Sequence, residues 1–492
     1  MGKLKISDFY LYKWRYPIAY FVFGFSILAF IVVAGLYIPG GLSQQEITSA
    51  LSSDSLNPHL LFSLHPSQLL FLPYNLLQAA TIAVFGFTTF SIKLPSIILA
   101  IASAGGILIL LSIWFRRNVA IVTSIMVITT GQFLLVAQNG QPAITYIFWA
   151  IAVLLTASLI IKQGKLAPFW VIIAFVLAGL SLYMPLNIYV ILALAITTIL
   201  HPHARHILLR ETSKVALGIG TALLLIIVSP LVLGMIHDHS IIATMLGIPQ
   251  HWSSGGQTVL TLLHQYGNFM NPKNGIILQP IYSLGTLLLI LLGLFRIFTT
   301  KYTTKSYIII FWLILVLPFV FLHPNLVSIT YVPAVLLIAQ AVDYLFTSWY
   351  RLFPRNPYAR IFGLLPLGVL VLGVVVSNVD RYAYGYYYSS DAYTSYSRDL
   401  RVLSDRISKM PASAHVTLLA ATDEVSFYQA YSKHQRSVAS LDVVSASSTV
   451  RSGTTIATHT AQHHISAIPT EVVTDKTVHT ADRFYLYKNS SH

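Results

Sequence analysis

Apolar runs of about 20 residues recur along this 492-residue chain, and they limit its possible folds more than any other feature. A helical run of this length matches the apolar thickness of a lipid bilayer. Only 9% of the residues are charged, whereas soluble domains carry about 25%. Because backbone groups in lipid must be bonded within their own segment, we predict an all-α polytopic membrane protein.

Eleven transmembrane spans are predicted from the apolar runs. The first follows a basic N-terminus and is too long for the apolar core of a cleaved signal peptide, so we expect it to remain in the protein. The fifth and sixth are separated only by "YMPLN", so one long kinked helix is an alternative to two spans. The spans are expected near residues 17–38, 93–115, 119–136, 143–161, 167–184, 186–200, 215–235, 276–298, 306–322, 326–346 and 361–379.

The distribution of basic residues predicts the orientation. Residues 68–86 could form a twelfth span, which would reverse the side of everything that follows. With eleven spans and a cytoplasmic N-terminus, the cytoplasmic segments hold seventeen Lys and Arg residues, while the outer loops before residue 380 hold only Lys93 and Lys273. This asymmetry is the positive-inside pattern. It indicates that 68–86 is an apolar helix that lies at the outer face or re-enters the membrane, packed on protein. The net charge of +14 then reflects membrane topology rather than nucleic-acid binding.

The composition changes after residue 380. We predict a transmembrane domain over 1–380, a tyrosine-rich connector over 381–397 and a small extracytoplasmic α/β domain over 398–492. In the last of these, 415–421 and 482–489 are typical of strands and 423–435 of an amphipathic helix. Two outer loops, 39–92 (with the interfacial helix 68–86) and 236–275, complete the predicted outer face.

Glu46, in the stretch "GGLSQQEITSA", is one of few acids on the predicted outer face. Only Asp54, Asp238 and Asp380 accompany it there before the C-terminal domain. A carboxylate near the membrane interface can become partly desolvated, which suits a general base. The structural alternative is a helix cap, because Ser43 precedes Glu46 by three residues, as in a capping box. The two interpretations are compatible.

Metal binding has few candidate ligands. The chain contains no cysteine, which excludes disulfides and thiolate metal sites. His237 and His239, with Asp238 between them and Glu46 elsewhere on the same face, form a conceivable zinc set, although no spacing rule selects it. A single histidine is more often a surface or capping residue, so the sequence identifies no cofactor beyond a candidate divalent metal.

Several short motifs resemble the start of the GT-C membrane glycosyltransferases, in particular the protein O-mannosyltransferase and aminoarabinose-transferase group. That group has an Asp-Glu pair in the first outer loop, a "HPPL"-like step, a Phe-Gly at the end of an interfacial helix and an "RLPS" step that opens the next span. The matching positions here are Gln45–Glu46, "HPSQ" (65–68), "FG" (85–86) and "KLPS" (93–96). The stretch "GLSLYMP" (179–185) also fits the group.

The resemblance implies transfer of a sugar from a polyprenyl-phosphate donor to an unidentified acceptor at the outer face of the membrane. Glu46 would be the base and Lys93 the phosphate contact, although Lys lacks the bidentate fork of the group's Arg. The chain departs from the group where the expected base, an Asp, is Gln45, and where the acidic outer turn reads "AQNGQPA" (137–143). The further substrate-binding candidates are Gln45, His65, Gln138 and Gln141.

These departures leave two functional hypotheses. The protein is either a glycosyltransferase or a catalytically inactive relative that binds a lipid-linked glycan or supports assembly of the cell envelope. An ion-coupled transporter is a third class, but the chain shows few intramembrane charges and no inverted repeat.

Overall fold

The fold is seen in a computed structural model of the chain. It describes residues 10–33, 40–56, 66–249, 255–270, 272–274, 278–299, 303–324, 326–352, 357–435, 438, 440–445, 455–458, 468–474 and 483–488. His65, one of the candidate binding residues, lies outside them.

Helices account for most of the described chain. They are Tyr10–Ser26 with its π-helical continuation Ile27–Val33, Gln44–Asp54, Pro66–Leu69, Leu72–Phe85, Thr89–Trp114, Arg117–Ile128, Gly131–Gln138, Ile144–Ile161, Ala167–Ser181, Ile188–Leu200, Pro202–His206 with the π-helical turn Ile207–Glu211, Lys214–His237, Ser240–Leu246, Gly255–Gly267, Leu284–Thr299, Thr304–Leu322, the 3₁₀ turn Val327–Thr330 with Tyr331–Leu352, Pro357–Tyr388, Ser390–Ser395, Leu400–Ser408 and Val425–His434.

Each of the eleven predicted spans coincides with an apolar helix or helix pair. Within the described residues, six helices are long and apolar enough to cross a membrane, and a bent pair makes a seventh. The other four predicted spans correspond to shorter apolar helices, Tyr16–Val32, Ala167–Ser181, Ile188–Leu200 and Leu284–Thr299. The chain is therefore a multi-pass integral membrane protein, as predicted.

One predicted span differs in detail from the structure, and the structure decides the alternative left open for the fifth and sixth spans. The run 119–136 is not one straight helix, because Arg117–Ile128 and Gly131–Gln138 meet at an angle of 62°. The hydroxyl of Thr130 caps the second helix by accepting the N–H of Phe133, which stabilises a new helix start at this break. Between the fifth and sixth spans, Leu186 has a φ of 63°, in the left-handed region, so the chain forms two helices rather than one kinked helix.

A five-stranded sheet forms the core of the C-terminal region. Two short strands before the helix Leu284–Thr299, β1 (Lys273–Asn274) and β2 (Leu278–Gln279), pair antiparallel with each other. The sheet contains β3 (His415–Ala420), β4 (Ser440–Ser445), β5 (Thr455–Thr458), β6 (Glu471–Thr474) and β7 (Arg483–Lys488) in the order β4-β3-β5-β7-β6. β3 runs parallel to β4 and β5, whereas β7 is antiparallel to β5 and β6. The two predicted strands and the predicted helix are confirmed as β3, β7 and Val425–His434.

The C-terminal region packs on the first outer loop through a shared apolar core. Ile47 and Phe87 from the membrane domain are buried in one cluster with Leu400 and Phe427. Phe87 lies edge-on to Phe427, with ring centroids 5.6 Å apart. At the edge of this contact Asp54 lies 2.8 Å from Nε2 of His434. Burial of large apolar side chains contributes most of the energy of such a contact.

Residues 396–401 hold the chain segment 40–43 at this junction. The N–H of Leu42 donates to the carbonyl of Arg398 at 2.5 Å, and Nη2 of Arg401 donates to the carbonyl of Gly40 at 2.9 Å. Gly41 lies against Tyr396 so closely that a Cβ on it would overlap the carbonyl oxygen of Tyr396. Only glycine permits this approach of the two backbones.

We expect Gly41→Ala to loosen the junction and lower the thermal unfolding temperature in detergent, because its methyl group must displace backbone at a cost of about 1–3 kcal/mol. Gly164→Ala is the matched control, since a Cβ at Gly164 meets no atom within 4 Å. Equal unfolding temperatures for the two variants would contradict the contact.

Candidate functional site

Glu46 lies in the first turn of the helix Gln44–Asp54 and forms a capping box with Ser43. Its Oε2 accepts the N–H of Ser43 at 2.7 Å, and its own N–H donates to Oγ of Ser43 at 3.3 Å. The helix therefore starts at the predicted cap, which satisfies backbone N–H groups that have no partner within the helix. The capping interpretation of the "SQQE" stretch is confirmed.

The same carboxylate also contacts two distant parts of the chain. Oε1 accepts the N–H of Gly140 at 2.6 Å and lies 3.9 Å from Nζ of Lys93. Glu46 is 0% exposed and Lys93 is 3% exposed. A buried charge is tolerated when it is paired and hydrogen-bonded, and here each charge balances the other.

Lys93 holds the segment that precedes the cap. Nζ of Lys93 donates to the carbonyl of Gly41 at 2.8 Å and lies 5.9 Å from the centre of the Tyr396 ring. The ammonium thus contacts the first outer loop, the carboxylate of Glu46 and an aromatic face. The predicted phosphate contact is, in this structure, engaged with protein groups.

Neutral amides surround this ion pair. Nε2 of Gln141 donates to Oγ of Ser43 at 3.2 Å, and Nε2 of Gln138 donates to the carbonyl of Phe30 at 2.6 Å. Gln78 was not among the candidates, yet its Nε2 donates to the carbonyls of Ile92 and Gly140. An amide offers both donors and an acceptor, so it can satisfy several buried backbone groups without adding charge.

Gln45 differs from its neighbours because its side chain is exposed. It occupies the position at which the resembling group has its acceptor-activating Asp. The accessible residue of the Gln45–Glu46 pair is therefore an amide that cannot take a proton at neutral pH, and the ionisable residue is enclosed.

A cluster of buried tyrosines closes the other side of the ion pair. Tyr382 donates to Oε1 of Gln138, and the hydroxyl of Tyr396 donates to Oδ1 of Asn139 at 3.2 Å. Burial, reinforced by the negative charge of Glu46, raises the pKa of Tyr396 above its ordinary value. Its phenol stays protonated and acts as a hydrogen-bond donor.

The predicted zinc set is not brought together. His237 and His239 are exposed, and Nδ1 of His237 is 2.9 Å from the carbonyl of Leu233 in its own helix. Across the described ranges, no three His, Asp or Glu side chains are grouped so that they could hold a metal ion. Glu46 faces Lys93 instead of these histidines.

These features define a membrane protein whose apolar helical bundle carries a buried polar cluster under a C-terminal α/β region. Residues 70–233 match the family model "Dolichyl-phosphate-mannose-protein mannosyltransferase". Together with the structural neighbours below, this match confirms the resemblance to the GT-C glycosyltransferases, so the protein has a GT-C fold.

Similar folds occur in solved structures of two proteins. ArnT from Cupriavidus metallidurans, bound to undecaprenyl phosphate, matches with a TM-score of 0.52 and 12% identity over 96% of this chain and 97% of that chain. The oligosaccharyltransferase of Archaeoglobus fulgidus, tethered with an acceptor peptide, matches with a TM-score of 0.52 and 11% identity over 86% of this chain.

The chain spans less than two thirds of the archaeal oligosaccharyltransferase. The share is 63% in that structure and 64% in the structure of oligosaccharyltransferase AglB from the same organism in complex with an inhibitory peptide and a dolichol-phosphate. At these identities the similarity shows the fold. No curated protein sequence matches the chain.

We expect Glu46→Gln and Lys93→Met each to destabilise the protein by about 3–5 kcal/mol, because each leaves one buried charge unpaired. A glutamine also presents only one oxygen to the N–H groups of Ser43 and Gly140. The double variant removes both charges and should lose less than the sum of the single losses, as measured by a double-mutant cycle of unfolding in detergent.

Gln45→Ala is the control for this cycle. Its side chain is exposed, so a change within about 0.5 kcal/mol is expected. Strict additivity of the two single substitutions would show that Glu46 and Lys93 do not stabilise each other.

Proposed function

We propose that the protein transfers a sugar from a polyprenyl-phosphate donor to an acceptor at the outer face of the membrane. The observation that carries this proposal is the fold shared over nearly the whole length with ArnT, whose structure holds undecaprenyl phosphate. The match of residues 70–233 to a family that uses a dolichyl-phosphate sugar supports the same donor class. In the reaction, an acceptor oxygen bonds to the anomeric carbon while the bond from that carbon to the lipid phosphate breaks.

Glu46 and Lys93 are proposed to form part of the reaction site. Glu46 can act as a base only if the acceptor hydroxyl comes within about 3 Å of its carboxylate. In the observed geometry both oxygens accept N–H groups of the backbone, so this role requires the segment 40–46 to move away from Gly140. An acceptor whose oxygen is already ionised, such as a phosphate or carboxylate, needs no base at all.

Binding of a lipid-linked glycan without transfer is a second candidate function. Two observations favour it: the exposed residue at the expected base position is Gln45, and the neighbouring carboxylate is fully buried. A protein of this kind would keep the donor-binding fold of the transferases and present the glycan to other components of the cell envelope.

Reconstituted wild-type protein is expected to move a radiolabelled sugar from polyprenyl phosphate to an envelope acceptor fraction, and to release free polyprenyl phosphate in equal amount. Donor binding and transfer are measured on the same nanodisc sample. Bound donor without transferred label would support the second candidate function. If the protein neither binds donor nor transfers label, both candidate functions are contradicted.

The Glu46→Gln/Lys93→Met double variant separates a chemical role of Glu46 from a structural one. If Glu46 is the base, this variant binds donor but transfers no label. Transfer at a rate close to wild type would show that Glu46 only positions the loop. Gln44→Ala, at an exposed position of the same helix, is the matched control and should retain activity.

We propose that the N-terminus is cytoplasmic and the C-terminal α/β region extracytoplasmic, on the strength of the charge asymmetry between loops. Because the chain has no cysteine, single-cysteine variants report on one position each. Thr48→Cys and Ser408→Cys should react with a membrane-impermeant maleimide in intact cells, while Gly164→Cys should react only after lysis; all three positions are exposed. Labelling of Thr48→Cys and Ser408→Cys on opposite sides would contradict the eleven-span topology.

A further inference from the structure

Arg381 lies near the C-terminal end of the last candidate membrane span, and no described acid forms an ion pair with it. It lies in the candidate span Leu365–Tyr386, five residues before the end of that span. Its Nε and Nη2 are buried, and neither has a hydrogen-bond partner among the described residues. A buried donor without an acceptor is costly, and more so when it is charged. The geometry calls for an acceptor that the described residues do not supply.

Three other cations near this face are already paired with acids. Lys93 pairs with Glu46, Arg398 with Glu424 and Arg401 with Asp399. Each contacts an acid within the protein. Unlike these three cations, Arg381 forms no ion pair with a described acid, so its guanidinium can bind a ligand.

Polar residues near Arg381 connect it to the candidate site. Asn378 precedes it by three residues and so lies on the same helix face; its Nδ2 is 3.5 Å from Oγ1 of Thr286, in the first turn of Leu284–Thr299. The positive end of that helix favours a negative group nearby. On the other side, Tyr386 lies within electrostatic range of the guanidinium and hydrogen-bonds to Tyr396, which contacts Lys93.

We propose that Arg381 binds the phosphate of the lipid-linked donor. A planar guanidinium presents paired N–H donors that match two phosphate oxygens, and a position just inside the end of a span suits a ligand whose phosphate is at the interface and whose chain is in the bilayer. An arginine that only reaches bulk headgroups exposes its guanidinium at the protein surface, whereas two nitrogens of Arg381 are enclosed. This inference rests on the proposed function and adds a phosphate-binding residue to it.

Equilibrium binding of polyprenyl phosphate to the full-length protein in nanodiscs of zwitterionic lipid tests the assignment. Arg381→Gln should weaken binding about 10- to 100-fold, as expected for charge-assisted hydrogen bonds, and Arg381→Lys should give an intermediate loss. Arg296→Gln is the matched control, since Arg296 is a half-buried arginine in the last turn of Leu284–Thr299 that packs on the Tyr344 ring; it should bind like wild type.

Polyprenol without its phosphate and inorganic phosphate serve as comparison ligands. The assignment requires that Arg381→Gln leave polyprenol binding unchanged. Equal losses for polyprenol and polyprenyl phosphate, or unchanged affinity for polyprenyl phosphate, would overturn it. A loss confined to inorganic phosphate would assign the residue to free phosphate and reject the lipid-linked ligand.

Two results separate this inference from the proposed function. Wild-type protein that does not bind polyprenyl phosphate contradicts the donor class itself. Wild-type protein that binds it, with Arg381→Gln and Arg381→Lys binding equally well, contradicts only the role of Arg381. If Arg381→Gln does not fold, the Arg381→Lys variant still tests the role of Arg381, because lysine keeps the positive charge but lacks the paired N–H donors of the guanidinium.

Discussion

The arrangement of the first loop, the turn at Gly140 and the C-terminal region depends on the interactions of the buried carboxylate of Glu46. This carboxylate joins the cap of its own helix, the turn at Gly140 and the ammonium of Lys93. Because an unpaired charge at full burial is strongly unfavourable, these three segments must stay together for the fold to be stable. Lys93 and Arg401 extend the same constraint, since both donate to carbonyls of residues 40–41. The membrane bundle, the first outer loop and the C-terminal region therefore meet at one buried ion pair.

Features that depend on neighbouring residues could be predicted from the sequence. Apolar runs identified a helix or helix pair at each of the eleven predicted spans, and the three-residue spacing of Ser43 and Glu46 identified the capping box. β3 and β7 were recognisable from their apolar and aromatic residues. The bend after Ile128 was missed because hydropathy is averaged over a whole run, and that average conceals a single threonine that caps a new helix.

Contacts between distant residues could not be predicted, and they determine what the candidate residues do. The N–H of Gly140 reaches Glu46 across 94 residues of sequence, and Tyr396 reaches Asn139 across 257. The sequence made Gln138 a candidate for substrate binding. In the structure Gln138 instead bonds to a backbone carbonyl and a tyrosine. The tyrosine-rich stretch was visible in the sequence, but nothing local in it indicated that its phenols enclose the ion pair.

The burial of Glu46 changes which part of the site must supply the chemistry. A carboxylate that accepts two backbone N–H groups and faces an ammonium stabilises the fold in that arrangement, and it becomes accessible only if the segment 40–46 moves. Gln45, the accessible neighbour, cannot accept a proton at neutral pH. In the proposed transfer, either this loop moves so that Glu46 can take the acceptor's proton, or the acceptor arrives already ionised. In both cases the departing phosphate of the proposed donor needs a cation that is not paired with an acid, and among the described residues Arg381 meets that requirement.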